Sequence, residues 1–189
     1  MSLSLLNLDA RWRRFNDETR ACPCCGRQFS GVYDLGFDHP VDWPHAERGE
    51  HPFVKQGADQ LSPDLCRVGD IRLLRAILSL PIQGADESVH ITPWVRVSPD
   101  VFYAYLETWD NPDAPLPAPA PALLANDLPA LAETGTAVQI SFPSRDARPQ
   151  IDTATGALAT ALTNGLDFDA LLDLYAACGD DIRPHLMQG

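Results

Sequence analysis

The sequence predicts an α+β fold: an antiparallel sheet with helices packed on one face, and a loop-rich N-terminal lobe that carries a cysteine knuckle. Three observations carry this prediction. Between Val89 and Val97 the apolar Val89, Ile91, Val95 and Val97 fall on one face while His90, Thr92, Trp94 and Arg96 fall on the other, the period of two of a half-buried strand. Directly afterwards the period lengthens: Val101, Phe102, Tyr105, Leu106 and Trp109 form a helical stripe. Far upstream stands Cys22-Pro23-Cys24-Cys25-Gly26, in a stretch punctuated by turn formers.

Each element has a local reason. Pro93 cannot donate to a ladder, so the Val89–Val97 strand lies at an edge, is bulged there, or turns the missing donor to solvent. Ser98 is placed to cap the following helix, Pro99 suits its first position, and Asp100 sits near the positive end of the helix dipole. The apolar run Ile71 to Ile82 fits a helix through Leu73, Leu74, Ile77 and Leu78. It fits a strand equally well through Leu74, Ala76, Leu78, Leu80 and Ile82, so periodicity alone leaves it open.

In chain order, Asp9 to Asp17 reads as a short helix with Trp12 and Phe15 on one side and a solvated cluster of Arg11, Arg13 and Arg14 on the other. Phe29 to Pro63 reads as irregular, with His39-Pro40, Trp43-Pro44 and His51-Pro52 each favouring extended or turn geometry. After Trp109, five prolines between Asn111 and Ala122 would pass for a polyproline II linker. Leu123 to Leu131 reads as a short helix ending near Pro129. Val138, Ile140 and Phe142, the turn Ser144–Ala147, and the return from Pro149 to Thr153 predict an antiparallel hairpin. A helix over Gly156–Asn164 follows, then one capped by Asp167 with Leu171, Leu174, Tyr175 and Cys178 on a single face. Gly179 ends that helix, and Cys178 is expected in the core.

Composition narrows the function classes. With 189 residues and 45% hydrophobic content the chain can build one sizeable core, and a single domain over residues 1–189 is the expectation. Twenty-six acidic residues against fourteen basic ones leave a net charge of −12, which argues against nucleic acid and anionic membranes as partners and allows a basic protein partner. No apolar stretch approaches the ~20 residues of a membrane span. The opening Met-Ser-Leu-Ser-Leu-Leu is interrupted by Asn7 and Asp9 before a signal-peptide core forms, so a cytoplasmic location is expected. Five cysteines, an odd number, then point to free thiols or metal ligands rather than a disulfide framework.

The Cys22-x-x-Cys25-Gly26 spacing is that of a zinc-ribbon or rubredoxin-like knuckle, whose turn aims two sulfurs at one ion. Half a site needs two more ligands. The fullest set available is Cys22, Cys25 and Cys66 with one of His39, His45 or His51, and zinc is the metal it would take. A knuckle-like turn without metal and a redox thiol pair activated by Arg20 and Arg27 stand beside it.

One series of residues carries a resemblance. Asp64-Leu65-Cys66, Arg75 with Leu80-Pro81-Ile82, Trp94-Val95 with Ser98, Trp109-Asp110, Leu124 with Asn126, Leu128-Pro129 and Thr134, and Arg148-Pro149 with Ile151 occur in the order and spacing of a known family. Over roughly residues 20 to 165 the chain resembles the bacterial proteins catalogued as domain of unknown function 2199. The resemblance implies that Ile71–Ile82 is extended, that Cys22 and Cys25 are the family's cysteine pair, and that the proline run is a surface crossing within one domain. It implies no activity. Two histidines usual in the family are replaced here, by Phe29 and by the Gly156-Ala157 segment.

Three functional readings follow: a non-enzymatic acidic protein-interaction module, a zinc-stabilised structural module, and a thiol-dependent enzyme. The last would use Cys24 or Cys25, or a polar pocket built from His90, Arg96 and Arg75.

Overall fold

The computed structural model describes residues 5–187, so the signal-peptide reading of the opening residues lies largely outside the described residues. Along the chain, α1 (Ala10–Phe15) is followed by β1 (Leu35–Gly36), β2 (Val54–Gln56), β3 (Asp59–Leu61), β4 (Leu65–Val68), β5 (Ile71–Arg75) and β6 (Leu78–Pro81). After β7 (Ser88–Thr92) and β8 (Trp94–Val97) come α2 (Pro99–Asp110), β9 (Ala120–Leu124), β10 (Ala137–Ser141) and β11 (Gln150–Thr153). Then follow α3 (Gly156–Asn164), α4 (Phe168–Ala177) and α5 (Arg183–Met187). The fold is mixed α+β, and it forms two compact units: residues 5–34, 79–90 and 160–187 make the first, residues 35–78 and 91–159 the second.

The second unit is an eight-stranded antiparallel sheet in the order β11-β10-β9-β8-β5-β4-β3-β2. Its β2–β3 and β4–β5 hairpins turn through Gly57-Ala58 and Gly69-Asp70, with each glycine at positive φ in the first turn position, where two-residue hairpin loops favour it. The Ile71–Ile82 run is extended, but it breaks at Ala76-Ile77. The Val89–Val97 stretch likewise breaks at Pro93, and the Ala76 amide donates to the Pro93 carbonyl, so one break answers the other. Pro93 thus leaves the ladder at a strand junction.

Both faces of this sheet are covered. Phe102 and Tyr105 of α2 are buried as the helical stripe predicts, and the Ser98 hydroxyl caps Val101. Thr108 completes the buried face, and Trp109, expected in the stripe, is exposed at its edge. On the opposite face Leu61, Cys66, Leu73 and Trp94 pack with Trp43 and Ala125. Trp94, expected to face outward, is therefore buried: the segment read as irregular supplies its cover, and the Trp94 indole donates to the Phe37 carbonyl. Asn126 fills the gap beside Pro93, accepting from the Trp94 amide at 2.8 Å and donating to the His39 carbonyl at 3.0 Å.

One further expectation fails here. Leu123–Leu131 is not a helix, because the end of the proline run forms β9, an interior strand. Leu124 turns its N–H and C=O to the β10 side. By alternation Pro121 faces the other way, where β8 has already ended, so its missing donor breaks no bond. The predicted hairpin is present as β10 and β11.

In the first unit side chains join residues 5–34 to 160–187, while the Gln83 amide donates to the Leu166 carbonyl and the Leu166 amide to the Pro81 carbonyl. Phe15 of α1 lies among Phe29, Tyr33, Phe168 and Tyr175, with ring centroids 5.8–6.4 Å away, and Trp12 meets Phe168 edge-on at 5.1 Å. The Asp167 carboxylate caps α4, as expected. Gly165, at φ +76°, lies so close to the Pro81 carbonyl that a Cβ would meet its oxygen at 2.6 Å. Cys178, expected in the core, is exposed: α4 ends at Ala177, and the chain turns through Cys178 and Gly179 before another full turn could carry the thiol inward.

Candidate metal centre

The knuckle folds as its residue types dictate. The Gly26 amide donates to the Cys22 carbonyl and the Cys22 amide to the Arg27 carbonyl, both at 2.8 Å, while Ala21 and Gln28 pair as an antiparallel bridge. Gly26 takes φ +75°, which a side chain would strain. This turn gathers three sulfurs rather than two. Against them stands His185 of α5: its Nδ1 is 3.4 Å from Cys22 Sγ, 3.9 Å from Cys24 Sγ and 3.4 Å from Cys25 Sγ. Cys22 and Cys24 sulfurs are 3.1 Å apart, and all four donor atoms lie within 4.8 Å of one another.

α5 is held in place from several sides. Asp181 accepts from the Arg183 amide at the helix start, and Ile182 and Leu186 are fully buried. Arg14 donates to the Leu186 carbonyl at 2.7 Å and Arg20 to the His185 carbonyl at 3.2 Å, so Arg14, expected as part of a solvated patch, is an anchor. Arg27 forms a two-pronged pair with Asp180, both contacts at 2.6 Å, and Tyr33 donates to the same carboxylate at 2.8 Å. Arg27 holds the Asp180 carboxyl down at about 2. The Phe29 ring lies 6.1 Å from that of His185.

The electrostatics of the turn favour one ionised sulfur. Hydrogen bonding from Cys24, thiol and amide, lowers the Cys22 thiol to about 6. The hydrogen bond to Cys22, with burial, raises the Cys24 thiol to about 11. As a zinc ligand His185 would offer its Nδ1 lone pair, with the ring proton on Nε2.

The donor set fits zinc. A tetrahedron with Zn–S of about 2.3 Å and Zn–N of about 2.0–2.1 Å has S···N edges of about 3.5 Å and S···S edges of about 3.8 Å. The sulfur–nitrogen distances bracket the first value, and the Cys22–Cys24 edge would lengthen toward the second. Three thiolates and one imidazole leave no open position, the pattern of a structural rather than a catalytic site.

Of the sequence-derived ligands, Cys22 and Cys25 come together. Cys66 stands instead in the core of the second unit, where strand alternation places it with Leu61 and Leu73; burial pushes its thiol up to about 12. Among the described residues no metal-competent group includes it. His39 lies against the Pro40 carbonyl, and His45 pairs with Asp59 at 2.9 Å. The residues of the polar-pocket reading have separate partners: His90 with Ser79 at 2.8 Å, Arg96 with Asp42 at 2.5 Å, and Arg75 with the Pro63 carbonyl at 3.5 Å. Cys24, named from the sequence only as a reactive thiol, was not foreseen as a ligand, and His185 was not foreseen at all. Three cysteines at spacings of two and one signalled the first, and the Asp181-x-x-Pro184-His185 helix start signalled the element that carries the second.

A family model described as an uncharacterised protein conserved in bacteria, DUF2199, matches residues 21–165. No curated protein and no solved structure matches the chain. No helix among the described residues is long and apolar enough to cross a membrane.

Proposed function

The chain belongs to the DUF2199 family, and on that premise we propose that it is a zinc-stabilised, non-catalytic module. Cys22, Cys24, Cys25 and His185 would hold the ion. One observation supports this above the others: an imidazole nitrogen from residue 185 stands 3.4 Å from two sulfurs of a turn 160 residues earlier in sequence. Closing so long a loop restricts the unfolded chain strongly. The ion would supply that closure and the charge that keeps the thiols ionised. The geometry favours this reading over the interaction module that charge alone favours. It also favours it over a thiol enzyme, since the most readily ionised sulfur, Cys22, is the buried one.

Metal content of protein purified without a histidine tag tests the proposal. One zinc per chain is expected, lost in Cys22→Ser and in His185→Ala. Protein that is fully folded without metal, or that keeps its zinc in His185→Ala, would refute it.

A further inference from the structure

In the second unit a groove of about 280 Å³ is lined by residues of α2 and of the β3–β4 hairpin and by Phe53 just before β2. Its walls are mostly apolar: Leu65 comes from the sheet and Phe102 and Leu106 from α2, Gln60 and Ser62 add polar edges, and Phe53 and Trp109, 52% and 45% exposed, mark the rim. Among the described residues Arg67 is the only charged side chain lining it.

Nothing in the fold accounts for Arg67. Its Nε is buried with no hydrogen-bond partner, and among the described residues no carboxylate pairs with it, in a chain with 26 acidic residues. Its ladder neighbours are Gln60 on one side and Arg72 on the other. Two guanidinium groups opposed across a ladder repel. Arg72 is bound to the Tyr103 hydroxyl and to the Gly69 and Ile71 carbonyls, so it too lacks an acid. Its terminal nitrogens are not among the buried unpartnered atoms, so a half-buried guanidinium without an acidic partner borders an apolar groove and is free to take an anion.

We infer that this groove binds a small amphipathic monocarboxylate. Its carboxylate pairs with the Arg67 fork, and its apolar body lies against Phe53, Leu106 and Trp109. A single cation matches a single negative charge, whereas a phosphate monoester would bring a second charge into apolar walls. The volume suits about one aromatic ring with a short side chain, being below the range of drug-sized pockets. Every lining residue belongs to the second unit, so this site is independent of the metal reading.

The test compares 3-phenylpropanoate with its uncharged amide, 3-phenylpropanamide, by calorimetric titration of the full chain. Acrylamide quenching follows Trp109, since Trp12, Trp43 and Trp94 are buried. Binding of the acid should be tighter than that of the amide by about tenfold or more, and should shield Trp109. Arg67→Gln should abolish the preference, and Leu106→Trp, which fills the groove, should abolish binding of both. Equal affinity for acid and amide in the wild-type chain would overturn the inference, as would no saturable binding of either up to about 10 mM. An acid preference that survives in Arg67→Gln would overturn it too.

Discussion

In the second unit each strand from β11 to β2 pairs with its neighbour in one sheet, with a register shift between β10 and β11, and each face of the sheet has its own cover. The first unit is assembled from three separate stretches of chain: aromatic side chains and the cysteine–histidine cluster join residues 5–34 to 160–187, and two backbone hydrogen bonds tie 79–90 to 160–187. The contrast teaches where a single change should matter. A sheet spreads its stability over many backbone bonds and a wide apolar layer. A unit closed by a few long-range side-chain contacts concentrates it.

The largest expected effect follows metal removal. Structural zinc contributes on the order of 10 kcal/mol to small zinc-dependent folds at neutral pH. A chelator should therefore raise hydrogen exchange in α1, α4 and α5 while β4, β5 and β8 keep their protection. Equal loss of protection in both units would erase the distinction drawn between them. Next come two core truncations: Phe15→Ala is expected to cost about 3–5 kcal/mol and Leu73→Ala about 2–5 kcal/mol. Only the first should weaken zinc retention, measured by competition with a chromophoric chelator; parallel losses would show that the units do not act separately.

The smallest effect concerns pH. The Asp180 carboxyl is held at about 2, below its ordinary value of about 3.9, first by Arg27. The stabilisation from this pair is thus complete above about pH 4 and disappears as pH falls through about 2. Both side chains are more than a third exposed, 38% and 35%, so screening limits it to less than about 1 kcal/mol. Asp180→Asn should flatten the acid limb of the stability curve between about pH 4 and 2 by that amount, and an unchanged limb would remove the pair from the account.

Much of the fold was legible because its signals are local. Ser98-Pro99 and Asp167 start helices by capping, and the β10–β11 hairpin shows its alternation within a few residues. The hairpins at Gly57-Ala58 and Gly69-Asp70 were equally local, but the first lay in a stretch dominated by His-Pro and Trp-Pro pairs that read as irregular. β9 was hidden by its prolines, since the side to which Pro121 turns depends on where β8 ends. The site was half legible. A knuckle announces itself by spacing, whereas His185 is brought to it by packing across 160 residues, for which a single sequence has no local mark. Cys66 misled for a related reason: a lone cysteine in an alternating strand reads the same whether it faces a metal or a core.

X-ray absorption at the zinc edge of untagged protein addresses the central claim most directly. Three sulfur scatterers at about 2.3 Å and one nitrogen at about 2.0–2.1 Å are predicted. Absence of zinc, or a shell of two sulfurs completed by oxygen, would contradict the assignment of Cys22, Cys24, Cys25 and His185 as its ligands.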